Sequence, residues 1–459
     1  MSSDRSRLTR RVSIVAGALT IAVAGGVAVC VGPTRAADAE PFETDACGAP
    51  PADSPLVAPW RTITLDAQYG GHWVVAGDVD GDGQIEIVSA QNFNQTDDHF
   101  TSAVAVQKLD GSVLWRWGQP KLGRRQLHHD VACQIHDLDN NGTNEVIVAA
   151  DRQLVILDGR SGQPARAFPI AQHASDCVVF ADLSGTGWPA EILVKTRYGQ
   201  IWAHAADGRL LWTVKEPGGY PTAHQPWPVD LDGDGRDEIL AGYAALNSDG
   251  SVRWVFQAEQ GRRNRGHADC WRVVRVAQRP EDTRLVMTMC GGNALVMTDG
   301  SGKLIWRVTG QHYESVDVGE IRNDVPGLEL VVDVDHLSTP SKPLCLFDER
   351  GTPLGRIDTD YTRHHILVDW TGDGVAEIGT ALPRALFDGR GRRVCRFAIG
   401  ESERPSLMAD VDLTGDGGRD VLLTTVRDGE SKVYLYRSRP ADPPGRKRPA
   451  GTGLNYTLY

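Results

Sequence analysis

Basic charge is in short supply in this chain: 48 Lys and Arg stand against 60 Asp and Glu, a formal net charge of −12. A field of that sign repels phosphate backbones, which excludes nucleic acid as a partner held by net charge. Cysteine is scarce as well, eight in 459 residues, and none is spaced like a zinc site. A long apolar run occurs at the N-terminus, Val12 to Val31, behind Arg5, Arg7, Arg10 and Arg11 and ahead of Thr34-Arg35-Ala36-Ala37. A run of that length could span a bilayer as an anchor, but its Gly and Ala content and small-residue exit favour cleavage. Residues 1–37 therefore read as a secretory leader, exported by the general (Sec) or twin-arginine route, and a secreted, extracellular protein with no membrane attachment is expected. Removing five Arg and one Asp with the leader moves the charge to about −16. Seven cysteines remain, at 47, 133, 177, 270, 290, 345 and 395, and export permits disulfides. Cys270 with Cys290 and Cys133 with Cys177 are the expected pairs.

What the chain does have is a repeated acidic loop. Asp78-Val79-Asp80-Gly81-Asp82-Gly83 runs on to Glu86, and the pattern returns at Asp137, Asp230, Asp369 and Asp412. Oxygen side chains stand at positions 1, 3, 5 and 9, with Gly at position 6 to make the sharp turn that curls a loop around a hard cation. The candidate calcium ligands are Asp78, Asp80, Asp82 and Glu86; Asp137, Asp139, Asn141 and Glu145; Asp230, Asp232, Asp234 and Glu238; Asp369, Thr371, Asp373 and Glu377; and Asp412, Thr414, Asp416 and Asp420. The twelfth-position Glu of an EF-hand is missing, and the run after position 9 is too short for a helix. Each loop should join two strands.

The repeat sets the fold. Each unit ends on an Asp-Gly hairpin signal and a further strand, as in Asp110-Gly111 before Val113 to Trp117, Asp207-Gly208 before Trp212, and Asp299-Gly300 before Trp306. Four short strands per unit make a propeller blade. With degenerate copies at Asp182 and Glu320, and a loopless one near Val276, units start at 78, 137, 182, 230, about 276, 320, 369 and 412. This predicts an all-β β-propeller of eight blades, or seven if the last shares strands with the first. Eight is favoured. Residues 38–59 read as a flexible lead-in and 60–459 as one propeller domain. Within it, residues 438–451 form a linker before a closing strand at Asn455-Tyr456-Thr457-Leu458-Tyr459.

Chemistry is expected opposite the loops, at the positions just before each inner strand. Nine of the thirteen His fall there: 72, 128, 129, 173, 224, 267, 312, 364 and 365. A single such His is more often structural, but nine converging on a channel mouth describe a binding funnel. Tyr220, Tyr313 and Arg265 stand beside them, and Arg with aromatics suits acidic sugar chains, a uronic-acid polysaccharide being the expected partner of a monomer. His267 and Asp269, two apart on a strand, point to one side. They are the expected core of a site that holds a cation or a uronate, with Arg265 neutralising the carboxylate and His129 or His72 as base. His224, His312, His365, Tyr220 and Tyr313 are expected to bind substrate, and Lys195 joins the catalytic candidates only through the family resemblance that follows.

Gly266-His267-Ala268-Asp269 resembles the Gly-His-Gly-Asp signature of the family 11 rhamnogalacturonan lyases. Further matches lie at Ala190 to Thr196, Asp237 to Gly242, Pro326 to Glu329, Pro405 to Asp410 and Asn455 to Tyr459. The resemblance implies an eight-bladed, calcium-binding propeller that cleaves a rhamnose- and uronate-containing glycan by β-elimination, with His267 and Asp269 in its cleft beside calcium. The chain is similar in plan to rhamnose–glucuronate lyases as well. Two departures stand out: the family's cleft Lys is missing where this chain reads Gly400-Glu401-Ser402-Glu403, and the small β domain ahead of the family's propeller has no counterpart. Because integrin-like adhesion domains carry the same loops, a non-catalytic propeller that binds glycan or protein is the competing expectation.

Overall fold

The computed structural model describes residues 54–95, 98–123, 132–256, 266–335, 341–360, 364–427, 429–438 and 450–459. Its strands form eight antiparallel sheets, each following the next along the chain, and so eight blades and not seven. The inner strands are Trp73–Gly77, Cys133–His136, Val178–Ala181, Thr222–Val229, Ala268–Arg275, Tyr313–Gly319, His365–Val368 and Arg404–Val411, for blades 1 to 8 in order. Blades 1 to 6 are built from four consecutive strands. Blade 8 has only three of its own, and Arg61–Thr64 supplies the fourth, in antiparallel register from Arg61 opposite Leu435 to Thr64 opposite Lys432. Leu56–Val57 adds a fifth, parallel strand to the outer edge of blade 7. The stretch from Gln91 to Thr101 extends the second and third strands of blade 1 into a long hairpin on which Phe93 stacks on Phe100.

The recurring Asp-Gly and Trp phrase has a packing reason. A Trp on the outer strand of one blade sends its indole N–H to the hairpin turn of the next blade. Trp115 donates to the Gly159 carbonyl (2.7 Å), Trp212 to Ser248 (2.9 Å), Trp254 to Gly300 (3.0 Å) and Trp306 to Glu349 (2.9 Å). The ring lies flat on a turn glycine that no other residue could replace: a Cβ on Gly302, at φ +77°, would sit 2.4 Å from the Trp254 ring. Phe168 fills the same role against Gly208. Each clasp buries an aromatic face, and each Trp clasp also satisfies the indole N–H.

The acidic loops close the far end of the inner strands. In blade 1, Asp78 accepts the amides of Gly81 (2.7 Å) and Gly83 (3.0 Å), and Glu86 accepts that of Val79 (3.0 Å). The same bond from position 9 to position 2 recurs from Glu145 to Leu138, Glu238 to Leu231, Glu377 to Trp370 and Asp420 to Leu413. The degenerate copies, one residue longer, make the equivalent bond from position 10 through Glu191 and Glu329.

Residues 452–459 form no strand. Gly451 makes isolated bridges to Gly77 of blade 1 and Asp412 of blade 8, and the chain then enters the central channel. There Asn455 exchanges two hydrogen bonds with the Phe180 backbone, Gln134 and Gln225 donate to the carbonyls of Tyr456 and Asn455, and Arg272 donates to that of Tyr459. The closing strand expected at 455–459 is absent, and the fourth strand of blade 8 is Arg61–Thr64. The ring is closed by its N-terminal strand.

The expected disulfides are not formed: Cys133, Cys177, Cys270 and Cys290 are all thiols. Alternation on the inner strand explains the Cys270 case. Its sulfur turns toward the Thr288 hydroxyl (3.4 Å), whereas Cys290 lies with the neighbouring Asp269. Among the described residues no helix is long and apolar enough to cross a membrane.

Candidate active site

Inner strands of blades 4, 5 and 6 each break register at the end away from the loops, between Thr222 and Trp227, Ala268 and Trp271, and Tyr313 and Val316. Such bulges re-aim side chains, and here they turn imidazoles toward one another. His267 Nε2 lies 3.1 Å from His224 Nε2 and 3.0 Å from Asp269 Oδ1, with His224 Nε2 3.7 Å from the same oxygen. The spacing of two between His267 and Asp269 does place both on one side. Asp269 also shares a second group with Cys290 and His312, in which the candidate ligand atoms lie within 4.8 Å of one another. His312 Nε2 bonds Glu314 Oε2 at 2.9 Å.

Blade 3 supplies the wall. Lys195 ends its second strand completely buried, and its ammonium is held by Asp176 (2.9 Å) and the Arg197 carbonyl (2.6 Å). A lysine so engaged acts on the site through its charge. The Tyr198 ring centroid is 4.3 Å from that of His267, and the Arg197 guanidinium lies 5.1 Å from the Tyr198 ring and 3.4 Å from His99 Nε2 of the blade 1 hairpin. The channel segment forms part of the support, because Tyr459 stacks on His224 at 4.1 Å with the rings nearly parallel. His224 and Asp269 form a buried base, while Arg197, Tyr198, His267 and His312 are partly exposed above it.

Electrostatics follow from this arrangement. Burial, aided by the charges of Lys195, Arg197 and His312, depresses the His267 pKa to about 4, so its ring is neutral at physiological pH. Burial, reinforced by Glu314 and Cys290, raises Asp269 well above the ordinary carboxylate range. Burial opposes charge on His312, yet its bond to Glu314 and the nearby Asp269 outweigh this and raise its pKa.

Several expected residues lie elsewhere. Tyr220 and Tyr313 are 4% and 1% exposed and pack in the core against Tyr243 and Phe347, so neither ring lines the funnel. His365 is fully buried on blade 7, away from the blade 4 and 5 cluster, with Nε2 3.0 Å from the Val331 carbonyl of blade 6. His72 is 6% exposed. His129 and Arg265 fall outside the described residues. Tyr198, Arg197 and Glu314 are the residues that sequence reasoning missed or left without a role; Arg197 and Tyr198 sit on a short turn with no periodic signal.

The two kinds of acidic cluster differ in donor chemistry. Asp78, Asp80 and Glu86, Asp137, Asp139 and Glu145, and Asp230, Asp232 and Asp234 each bring three carboxylates within 4.8 Å, an all-oxygen set that fits a hard divalent cation. Lys108 bridges Asp80 (2.6 Å) and Asp82 (2.9 Å), and Arg253 bridges Asp232 (2.9 Å) and Glu238 (3.0 Å), which offsets part of that charge.

Comparison with known proteins points the same way as the signature residues. Residues 192–325 match the family model described as the Lambda-carrageenase beta-propeller domain. The chain is 23% identical over 403 residues to rhamnogalacturonan exolyase YesX of Bacillus subtilis (strain 168), covering 71% of this chain and 62% of that protein. It is 26% identical over 264 residues to rhamnogalacturonan endolyase YesW of the same organism, 42% of each. Thus it spans less than two thirds of the length of either curated relative. Among solved structures, the Bacillus licheniformis rhamnogalacturonan lyase PL11 superposes with a TM-score of 0.59 at 19% identity, over 84% of this chain and 75% of that one. The chain is a remote homologue of the family 11 rhamnogalacturonan lyases and shares their propeller.

Proposed function

We propose that this protein is a secreted polysaccharide lyase that cleaves a rhamnose- and uronate-containing glycan by β-elimination, as a monomer with structural calcium in its acidic loops. One observation carries the reading: His224, His267, Asp269, His312, Glu314, Arg197 and Tyr198 gather at one end of blades 3 to 6, in the register of the signature motif. Relatives at 23% and 26% identity are named rhamnogalacturonan lyases.

In this scheme Arg197 pairs with the uronate carboxylate and Tyr198 stacks on a sugar ring. A cation beside Asp269, when bound, would add positive charge at the carboxylate and so acidify the C5 proton. His312, oriented by Glu314 and raised in pKa by that bond and by Asp269, is the donor for the departing glycosidic oxygen. For the base that takes the C5 proton the sequence offers His129, which falls outside the described residues.

The test is incubation of the folded protein with rhamnogalacturonan and other uronic-acid polysaccharides, followed by the ultraviolet absorbance of the conjugated carboxylate, and with carrageenan, which has no uronate to conjugate and is followed by new reducing ends. Carrageenan is included because the matched propeller model covers the stretch that holds Lys195 to His312. Unsaturated product is expected from at least one uronic-acid polymer and should be lost in His312→Ala. A folded protein that binds these glycans and releases no unsaturated product would make the non-catalytic reading the correct one.

A further inference from the structure

The blade 4–5 cluster differs from the loops in a way that bears on its ion. Three ligand atoms face one point: two imidazole nitrogens and one carboxylate oxygen, with sides of 3.1, 3.0 and 3.7 Å. A triangle with those sides has a circumradius of about 1.9 Å, so an ion at the 2.0–2.1 Å typical of zinc–nitrogen bonds would lie slightly above its plane. Calcium prefers six to eight oxygens at longer distances, and this cluster offers one carboxylate. Beside it stand a thiol, Cys290, and a third imidazole, His312, both within reach of the same carboxylate. Imidazole and thiolate are the donors of borderline and soft metals.

A second observation is independent of the triangle. The Asp269 side chain is 1% exposed, and its Oδ2 atom has no hydrogen-bond partner. A carboxylate oxygen left bare in the interior costs free energy that a bound cation would offset. The two imidazoles are held from outside the cluster, His224 by the stacked Tyr459 and His267 by Tyr198, so the donors are fixed before any ion arrives.

We propose that His224, His267 and Asp269 hold one borderline divalent cation of the zinc class, and that calcium is confined to the all-oxygen loops. The proposal rests on the reading of this cluster as the working site, and it departs from the calcium that the lyase resemblance implies there.

The experiment uses the full folded protein, stripped with chelator and returned to a large excess of calcium. Zinc is then titrated by calorimetry and counted by elemental analysis, and cobalt(II) is bound separately so that its visible bands report the ligand field. One zinc per chain should bind and survive a hundredfold excess of calcium. His267→Gln and Asp269→Asn, each checked for an unchanged melting point in calcium, should weaken zinc at least tenfold and alter the cobalt spectrum. Asp78→Asn, in a loop, should leave both unchanged. Displacement of zinc by calcium, or a cobalt spectrum identical in all three variants, would overturn the assignment. The two readings fail separately. Zinc bound with no unsaturated product from any glycan removes the lyase and keeps this site; product formed with calcium alone and no zinc bound does the reverse.

Discussion

Raising the pH from 5 to 7 should weaken the sixth blade through one residue. Asp333, on Glu329–Val334, is 2% exposed; its Oδ1 accepts the Ser315 amide (2.5 Å) and hydroxyl (2.8 Å), and its Oδ2 has no hydrogen-bond partner. Burial, opposed by the Ser315 amide and reinforced by Glu314, lifts its pKa from 3.8 to about 8. Between those values the folded protein keeps a proton that the unfolded chain has released. The contribution is therefore complete below pH 4 and declines as pH rises to 8. The linkage slope is about 1.4 kcal/mol per pH unit, so roughly 3 kcal/mol should go between pH 5 and 7. Asp333→Asn can keep both Ser315 bonds through its carbonyl oxygen and abolishes the titration. Urea midpoints at pH 5, 6 and 7, in fixed saturating calcium, should show the variant gaining on the parent by roughly 3 kcal/mol across the range. Other buried carboxylates titrate in the same window and cancel in the difference. Parallel pH profiles for the two proteins would refute the reasoning.

Other perturbations probe separate parts of the ring. Excess chelator should lower the melting temperature by several degrees, because a cation bound only by the native loops stabilises it; an unshifted melting curve would count against metal in the loops. Gly302→Ala should cost about 2–4 kcal/mol, since its Cβ meets the Trp254 ring at 2.4 Å, whereas Gly429→Ala, at φ +83° with open space around it, should cost only the 1–2 kcal/mol of backbone strain. Equal denaturant midpoints for those two would remove the clasp. Lys195→Met should destabilise by about 3–5 kcal/mol, because it strands Asp176 beneath the site, and Asp176→Asn in the same chain should recover most of the loss. A single variant as stable as the parent would show that the pair is not needed.

The blade plan was legible because each loop must place a carboxylate near its end to hold the amide at position 2: it stands at position 9 in the regular loops and at position 10 in the degenerate copies, one residue longer, that use Glu191 and Glu329. The Asp-Gly turns were legible for the same kind of reason, since Trp254 needs a bare turn beneath it. His267 and Asp269 could be paired from period-two geometry alone. What sits around them could not. Register breaks in blades 4 to 6 spoil simple alternation, so Tyr220 and Tyr313, neighbours of His224 and His312 in sequence, turn into the core instead. Arg197 and Tyr198 reach the site from another blade, and pairing across blades leaves no local signal. Cys270 and Cys290 are close in the chain but separated by the sheet face each one serves.

Closing blade 8 with Arg61–Thr64 pairs positions more than 360 residues apart, and Asn455 reaches back 275 residues to Phe180. Long-range pairing of this kind must wait for the intervening chain, and its loop-closure entropy is recovered only at the end. A nascent chain therefore carries an open crescent in which Arg61–Thr64 stays unpaired until Glu430–Tyr436 is made and pairs with it. The order of events is consequently fixed by topology: blades first, ring second, and the channel segment that stacks Tyr459 on His224 last. Competence of the site would then appear as a late, concerted step in refolding, after most of the sheet signal has already returned.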